Sequence, residues 1–187
     1  MKRVLLLITC VILSWNASAL EVEGITLPES VHLGSRDLVL NGAGVRVKYF
    51  FKIYVAALYL GEKTHVANVA LSQPGEKRIA LYVLHELTDE VMLQAFTHAM
   101  SENCTHAEMD ALEPQLKELT AIFRAVGDVR KGDLVEINYI PDSGTQIVVN
   151  GVQKGKIAGA VFNRALLKAW LGDKPSQPSL KQQMLDL

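Results

Sequence analysis

Cysteine is scarce in this sequence: the chain of 187 residues has only Cys10 and Cys104. Cys10 lies in an N-terminal segment that we expect to be removed, which would leave Cys104 alone. A single cysteine cannot form an intramolecular disulfide, so the fold must rest on its hydrophobic core. The length fits one ordinary domain that can bury such a core.

An excess of basic side chains is also missing. The chain has 19 Lys and Arg residues against 20 Asp and Glu residues. Loss of Lys2 and Arg3 with the N-terminal segment would lower the basic count from 19 to 17, which gives a net charge of −3. Proteins that bind nucleic acid usually present a basic face, so this balance argues against a nucleic-acid partner.

Long apolar runs are confined to the N-terminus, where residues 1–19 have the three parts of a secretory signal peptide. Lys2 and Arg3 are basic, residues 4–13 are almost entirely apolar, and Ala17-Ser18-Ala19 supplies the small residues that a signal peptidase reads. We therefore predict cleavage after Ala19, a domain of residues 20–187, and release into the periplasm.

Two other interpretations of the N-terminus are weaker. A transmembrane anchor needs roughly 20 apolar residues, and this run is far shorter. A lipoprotein would need Cys10 as its acylated residue, but Cys10 lies inside the apolar run and the Ala-Ser-Ala site follows it. No later apolar run is long enough to cross a bilayer, so we expect no integral membrane segment after cleavage.

Several segments have the composition of β-strands. Residues 39–60 are rich in β-branched and aromatic side chains, and the Asn-Gly-Ala-Gly sequence at 41–44 predicts a turn. Residues 77–84 are apolar on both faces, which is typical of a central strand in a covered sheet.

A second group of strands lies nearer the C-terminus. Residues 134–140 alternate, with Val135, Ile137 and Tyr139 expected inward and Glu136 and Asn138 outward. A turn at 141–144 leads to a strand over 145–150. Asn150-Gly151 is a hairpin signal before a short strand at 152–157.

Helices are predicted for most of the remaining chain. Thr88 can cap a helix that ends near residue 103, and Thr105 with Glu108 forms a capping box. The helix that this box opens has a stripe typical of a core face, formed by Met109, Leu112, Leu116, Leu119, Phe123 and Val126. Two more helices are expected, one over 160–171 that ends at Gly172 and one from Ser179.

The order of these elements indicates the fold class. Strands come first, then two helices, then a hairpin, then C-terminal helices, which is not the regular alternation of a parallel α/β fold. We therefore predict an α+β architecture in which helices pack on one face of a large antiparallel sheet.

Two groups of residues resemble the chalcone-isomerase-like superfamily. The more specific group is Gly44-Val45-Arg46-Val47-Lys48 followed by residues 51–60, which end in Leu-Tyr-Leu. The second group is similar to the bacterial exported branch and consists of Lys131-Gly132-Asp133, Tyr139-Ile140-Pro141, Gly144-Thr145, Asn150-Gly151, Phe162, Ala165-Leu166-Leu167 and Trp170-Leu171-Gly172.

The resemblance implies an open-faced β-sandwich, with helices layered over a large antiparallel sheet and a cleft between them. The superfamily includes plant enzymes that cyclise flavonoids, non-catalytic relatives and fatty-acid-binding proteins. In the family, an arginine at a turn matching Arg46 holds an anionic group. Fatty-acid-binding relatives have a tyrosine where this chain has Tyr54, and the plant enzymes have a threonine there.

Other positions depart from the plant enzymes. Their tyrosine on the first long helix aligns with Val91 or Met92, their asparagine falls near His98, and their second threonine falls at Ala169. Apolar side chains cannot replace the hydrogen-bond donors that stabilise a transition state. Chalcone cyclisation is therefore not expected, and the resemblance implies no cofactor.

A metal site is not predicted. His98, Cys104 and His106 are close in sequence, but His98 and Cys104 are six residues apart and do not share a helix face. No fourth ligand is evident. Cys104 also lacks the sequence context of a catalytic cysteine.

The function that these residues favour is non-catalytic binding of a small amphipathic ligand, such as a fatty acid or another apolar carboxylate. Arg46 would pair with the acid, Tyr54 would donate a hydrogen bond, and apolar faces would hold the tail. Two alternatives stay open: an isomerase or lyase of unknown substrate that uses the same cleft, and a protein-interaction module of the cell envelope.

Overall fold

A computed structural model of the chain describes residues 20–187. The predicted signal peptide, residues 1–19, lies outside the described residues. The strands are β1 (Leu20–Val22), β2 (Ile25–Leu27), β3 (Ser30–Leu33), β4 (Arg36–Lys48), β5 (Phe51–Leu60), β6 (Lys77–Val83), β7 (Leu134–Ile140), β8 (Gly144–Val149) and β9 (Val152–Ile157). The helices are α1 (Ala67–Ser72), α2 (Asp89–Asn103), α3 (His106–Ala111), α4 (Glu113–Val126), α5 (Ala160–Leu171) and α6 (Pro178–Met184).

Strands β3 to β9 form one curled antiparallel sheet, and their order in the sheet is their order in the chain. Helix α1 connects β5 to β6, and helices α2, α3 and α4 connect β6 to β7. Strands β1 and β2 form a separate small hairpin. The predicted α+β class and antiparallel sheet are confirmed.

The two faces of the sheet have separate cores. The helices pack over one face, where Leu58, Ile79 and Ile137 meet Phe162 and Leu166 of α5. The other face has a smaller core built with the β1–β2 hairpin, which contains Leu27, Leu38, Val55 and Tyr59. The layering of the helices on one face is thus as predicted. None of the helices within residues 20–187 is long and apolar enough to cross a bilayer.

Local sequence signals explain several element boundaries. The Thr88 hydroxyl accepts a hydrogen bond from the Val91 amide and starts α2. The capping box of Thr105 and Glu108 is present at the start of α3. Asn150 and Gly151 both have positive φ, at 50° and 78°, as the tight turn between β8 and β9 requires.

The turn predicted at 41–44 is wrong, because these residues lie inside β4. The chain instead reverses at Tyr49 and Phe50. A side chain at Gly42 would run into the backbone carbonyls of Gln183 and Met184, so this glycine allows α6 to lie directly against β4. Arg46 consequently lies on a strand and not in a turn.

The helix predicted from residue 106 to 126 is divided into α3 and α4. Pro114 lies in the first turn of α4, where it lacks an N–H and its ring excludes a preceding helical carbonyl. Leu112, Leu119 and Phe123 of the predicted stripe are buried, but Leu116 is only half-buried.

The outward position predicted for Asn138 is also wrong, since this side chain is buried. Arg78 lies directly opposite on β6, and its Nε donates to the Asn138 Oδ1 at 2.6 Å. The Arg78 Nη1 also lies 2.9 Å from the Glu136 carboxylate. The long side chains of Arg78 and Glu136 cover Asn138. A prediction based only on alternating inward and outward residues does not include such covering by neighbouring side chains.

Candidate ligand-binding site

A cavity of about 500 Å³ lies between the sheet and helices α2, α4 and α5. Its walls are mostly aliphatic and aromatic, with Leu81 and Val83 from β6 and Ile137 from β7. The curvature of the sheet and the helices laid across it leave this space unfilled. An enclosure of this volume and composition is typical of a site for a small apolar or amphipathic molecule.

Three aromatic side chains from three helices form one part of the wall. The Phe96 ring of α2 stacks on Phe123 of α4, with centroids 5.3 Å apart. The Trp170 ring of α5 meets Phe96 edge-to-face, also at 5.3 Å. These contacts fix the ring orientations and so define the shape of the apolar part of the cavity.

Tyr54 of β5 brings a polar group into this apolar surface. Its hydroxyl accepts a hydrogen bond from the Trp170 indole nitrogen at 3.2 Å. Burial raises the pKa of Tyr54, although the hydrogen bond from Trp170 and the charge of Arg46 act in the opposite direction. The phenol therefore keeps its proton at neutral pH and can donate a hydrogen bond to an acceptor in the cavity.

Arg46 of β4 lies directly opposite Tyr54 in the antiparallel ladder, and both residues line the cavity. The Arg46 Nη1 donates to the Val47 carbonyl at 2.8 Å and to the Gln177 Oε1 at 3.1 Å. The two side chains singled out in the sequence are thus adjacent, and together they form a cationic, hydrogen-bonding end of the cavity.

Gln177, in the loop between α5 and α6, holds this end of β4 in place. Its Oε1 accepts from the Val47 amide at 2.9 Å, and its Nε2 donates to the Val45 carbonyl at 3.0 Å. The side chain thus pairs with β4 as a neighbouring strand would. No sequence motif marks Gln177, and it lies 131 positions from Arg46 in the chain, so local patterns do not reveal its role.

More charged groups lie among the lining residues. Lys48, His98, Glu102 and Lys174 all contribute to the wall, and the Lys174 ammonium lies 3.3 Å from the Glu102 carboxylate. These residues come from the end of β4, from α2 and from the loop after α5. They give the cavity a charged margin beside its apolar interior.

A sequence model of the chalcone isomerase-like family matches residues 19–186, which is nearly all of the described chain. The chain belongs to the chalcone isomerase-like family. The crystal structure of a fatty-acid binding protein from Arabidopsis thaliana has a similar fold, with a TM-score of 0.69 and 14% sequence identity. The similarity covers 87% of this chain and 92% of the plant protein. A comparison with curated proteins gives no significant match.

The positions at which this chalcone isomerase-like chain departs from the plant cyclising enzymes all lie in the cavity wall. Val91, Met92, His98 and Ala169 line the cavity. Three of these four side chains have no hydrogen-bonding group. His98 is the one of the four with a hydrogen-bond donor, so these positions lack the tyrosine and threonine hydroxyls that the resemblance assigns to chalcone cyclisation.

Cys104 and His106 lie outside the cavity that contains the Arg46–Tyr54 pair, whereas His98 contributes to the wall of that cavity. Cys104 follows the last residue of α2, and the Lys168 ammonium lies 4.0 Å from its sulfur. Burial raises the pKa of the Cys104 thiol, so the thiolate is disfavoured. Across residues 20–187, no three His, Cys, Asp or Glu side chains are grouped as metal ligands would be.

Proposed function

We propose that this chalcone isomerase-like protein binds a single-chain amphipathic acid, such as a fatty acid, without transforming it. The observation that carries the proposal is the pair Arg46 and Tyr54 at one end of an otherwise apolar cavity of about 500 Å³. The acid group would lie between the two side chains, and the hydrocarbon tail would extend towards the aromatic wall.

The chemistry of Arg46 suits an acid group. A guanidinium has five N–H donors in a planar fork that can bind both oxygens of a carboxylate. The hydrogen bonds from Arg46 to Val47 and Gln177 both use Nη1. The Arg46 guanidinium also forms a hydrogen bond with the Tyr54 hydroxyl, which acts to lower the pKa of Tyr54. The remaining N–H groups of the guanidinium and the protonated Tyr54 would be the donors to a carboxylate.

The rest of the cavity suits a hydrocarbon tail. Its volume lies within the range of about 300–1,000 Å³ that is common for small-molecule sites. Leu81, Phe96 and Phe123 present only carbon atoms from their side chains. The structure with the similar fold is that of a fatty-acid binding protein, which supports the same class of ligand.

The site supports binding better than catalysis. Cyclisation of a chalcone needs donors at positions where this chain has Val91 or Met92, and Ala169. Tyr54 has a raised pKa and is held by Trp170, so it is suited to donate a hydrogen bond and poorly suited to abstract a proton at neutral pH. The binding role is therefore favoured over the isomerase or lyase alternative.

We further propose that the protein acts in the periplasm after cleavage at Ala19. The basic, apolar and small-residue parts of residues 1–19 support this location. The family match runs from residue 19 to residue 186, so the predicted cleavage would remove only one residue of the matched segment.

The binding proposal can be tested with three ligands that share one chain length: dodecanoic acid, its methyl ester and dodecanol. Each is titrated against the wild-type protein by competition with a fluorescent fatty acid. The acid should bind about tenfold or more tightly than the ester, since hydrogen bonds to a charged group contribute about 1.5–3 kcal/mol. Equal affinity for acid and ester, or no binding of either, would overturn the proposal.

A further inference from the structure

The reversal between β4 and β5 exposes three consecutive aromatic residues. Tyr49 is 83% exposed, Phe50 is 97% exposed and Phe51 is 56% exposed. We refer to these three residues as the aromatic tip. Large apolar side chains that are this exposed and contiguous usually mark a surface that contacts something else.

The turn itself gives no reason for these side chains. Tyr49 has a φ of 57°, in the left-handed region where glycine and asparagine are favoured in two-residue hairpin turns. An aromatic residue at this position is therefore conformationally unfavourable. Of the three rings, Phe51 packs on the fold, because it stacks on His85 with ring centroids 5.0 Å apart. Tyr49 and Phe50 occupy a turn that smaller residues would fit better, which points to a role for these two rings outside the fold.

The charge around the aromatic tip has one sign in the sequence. Arg46, Lys48 and Lys52 flank it, and no acidic residue occurs between positions 45 and 53. Lys52 is paired with Glu23 at 2.6 Å, whereas the Lys48 ammonium lies 5.9 Å from the centre of the Tyr49 ring. Exposed aromatic rings favour the interfacial region of a bilayer, and the Lys48 ammonium beside them adds attraction to anionic lipid.

The aromatic tip is continuous with the cavity through the two strands that carry it. Arg46 and Lys48 on β4 line the cavity, as do Ile53 and Tyr54 on β5. Between Lys48 and Ile53 the chain contains only the tip and Lys52. A surface that held the aromatic tip would therefore lie next to the cationic end of the cavity.

We propose that the aromatic tip docks the protein on a membrane surface that contains anionic phospholipid. Tyr49 and Phe50 enter the headgroup region, and the Lys48 ammonium contacts lipid phosphate. The proposal goes beyond ligand binding, because docking requires only the exposed tip and no occupied cavity. It places the cationic end of the cavity at the lipid surface, where single-chain acids reside.

The test uses co-sedimentation with vesicles of phosphatidylcholine alone and of phosphatidylcholine with phosphatidylglycerol, without added fatty acid. The wild type is compared with the double variant Tyr49→Asn/Phe50→Ser. Both are expressed from the full sequence and purified after any processing by the cells. Asparagine tolerates the left-handed backbone at position 49, and the side chain at position 50 contacts little, so this variant should keep its fold and its melting temperature. Val152→Ser is the matched control, because Val152 is 56% exposed on β9.

The wild type and Val152→Ser should bind anionic vesicles equally. The double variant should bind about tenfold more weakly, since it lacks the two rings that the lipid would bury. Binding of the wild type should fall with added salt and be weaker without phosphatidylglycerol. A Phe50→Trp variant should show a blue shift of tryptophan emission on anionic vesicles. Because Trp170 also emits, the spectral change of this variant is compared with that of the wild type on the same vesicles, and the difference between the two reports on the tip.

Three results would overturn the proposal. The first is equal vesicle binding by the wild type and the double variant, and the second is unchanged emission from Phe50→Trp. The third is a wild-type dimer that the double variant converts to monomer while vesicle binding stays unchanged, which would assign the tip to a second copy of the chain. Failure of fatty-acid binding would not affect these readouts, so the two proposals fail independently.

Discussion

Gln177 shows how a single side chain can set the geometry of the candidate site. It forms hydrogen bonds to the backbone on both sides of Arg46 and to the Arg46 guanidinium. Arg46 is near the end of β4, where the ladder to β5 has an irregularity between Arg46 and Val47. The glutamine therefore fixes the strand at the position where its regular pairing is interrupted.

Replacing Gln177 with alanine should lower both stability and affinity for an acid. Loss of the bonds to β4 should reduce the free energy of unfolding by about 1–3 kcal/mol. Affinity for dodecanoic acid should fall, while affinity for its methyl ester should change little. Gln177→Glu should keep the bonds from Val47 and Arg46 but lose the bond to the Val45 carbonyl. Its carboxylate would also compete with the ligand for Arg46, so affinity for the acid should fall at least as far as in Gln177→Ala. Urea unfolding and ligand titration measure the two effects.

The control for this prediction is Gln182→Ala, an exposed glutamine of α6. It should leave both stability and affinity within experimental error of the wild type. If Gln177→Ala behaves like Gln182→Ala, Gln177 does not position Arg46.

The family resemblance selects Arg46 and Tyr54 as candidates, and the structure places them opposite each other. Trp170 was recognised only as part of the family resemblance, and its hydrogen bond to Tyr54 was not foreseen. That contact joins residues 116 positions apart, on a strand and a helix. Contacts of this range depend on the packing of whole elements, which a local pattern does not contain.

At the scale of elements, α4 illustrates the difference between a periodic pattern and actual burial. Leu119 is fully buried, Phe123 nearly so, and Leu116 only half-buried, although all three belong to one sequence stripe. The break at Pro114 starts a new helix, so the stripe does not continue the face of α3. The residues near the start of α4 are therefore less deeply packed than those in its middle.

The loss of stability on truncating an α4 side chain to alanine should increase with the burial of that side chain. Leu119→Ala should lower the free energy of unfolding by about 2–5 kcal/mol, because it leaves a cavity in the core. Leu116→Ala should cost about half as much, since less apolar surface is removed from water. Exposed Glu118 provides the control, and Glu118→Gln should change stability by less than about 0.5 kcal/mol. Chemical unfolding would contradict the structure if Leu116→Ala were the more destabilising change.

Amino-acid composition and the spacing of apolar residues located most strands of the sheet and most of the helices that pack on it. The error at residues 41–44 arose because glycine was interpreted as a turn former, whereas Gly42 accommodates the backbone of α6. The approach of α6 involves residues more than 140 positions later in the chain. A local interpretation of glycine could not distinguish a turn from a close contact.

At the scale of the whole molecule, the cavity results from an arrangement that no segment specifies alone. Helices α2, α4 and α5 each contribute one aromatic ring to its wall, and four strands contribute aliphatic side chains. The family resemblance predicted a cleft between sheet and helices. Its volume, and the choice of side chains that line it, depend on how all these elements pack together.

The location of the whole molecule is a separate prediction. Protein recovered from the periplasmic fraction should have Leu20 as its N-terminal residue, as N-terminal sequencing can show. As a control, Ala17→Arg/Ala19→Arg should block processing, because the peptidase requires small residues. Full-length protein in the cytoplasm, or a lipid attached to Cys10, would contradict export by this route.

The most direct test of the central claim is a double-mutant cycle at Arg46 and Tyr54, measured by calorimetry with dodecanoic acid and its methyl ester. For the acid, Arg46→Ala should cost about 2–5 kcal/mol of binding free energy, and Tyr54→Phe about 1.5–3 kcal/mol. Because both side chains would hold the same acid group, the combined loss should be smaller than the sum. Affinity for the ester should change little in Arg46→Ala, Tyr54→Phe and the double variant. Equal losses for acid and ester, or fully additive losses for the acid, would contradict a shared site for one carboxylate.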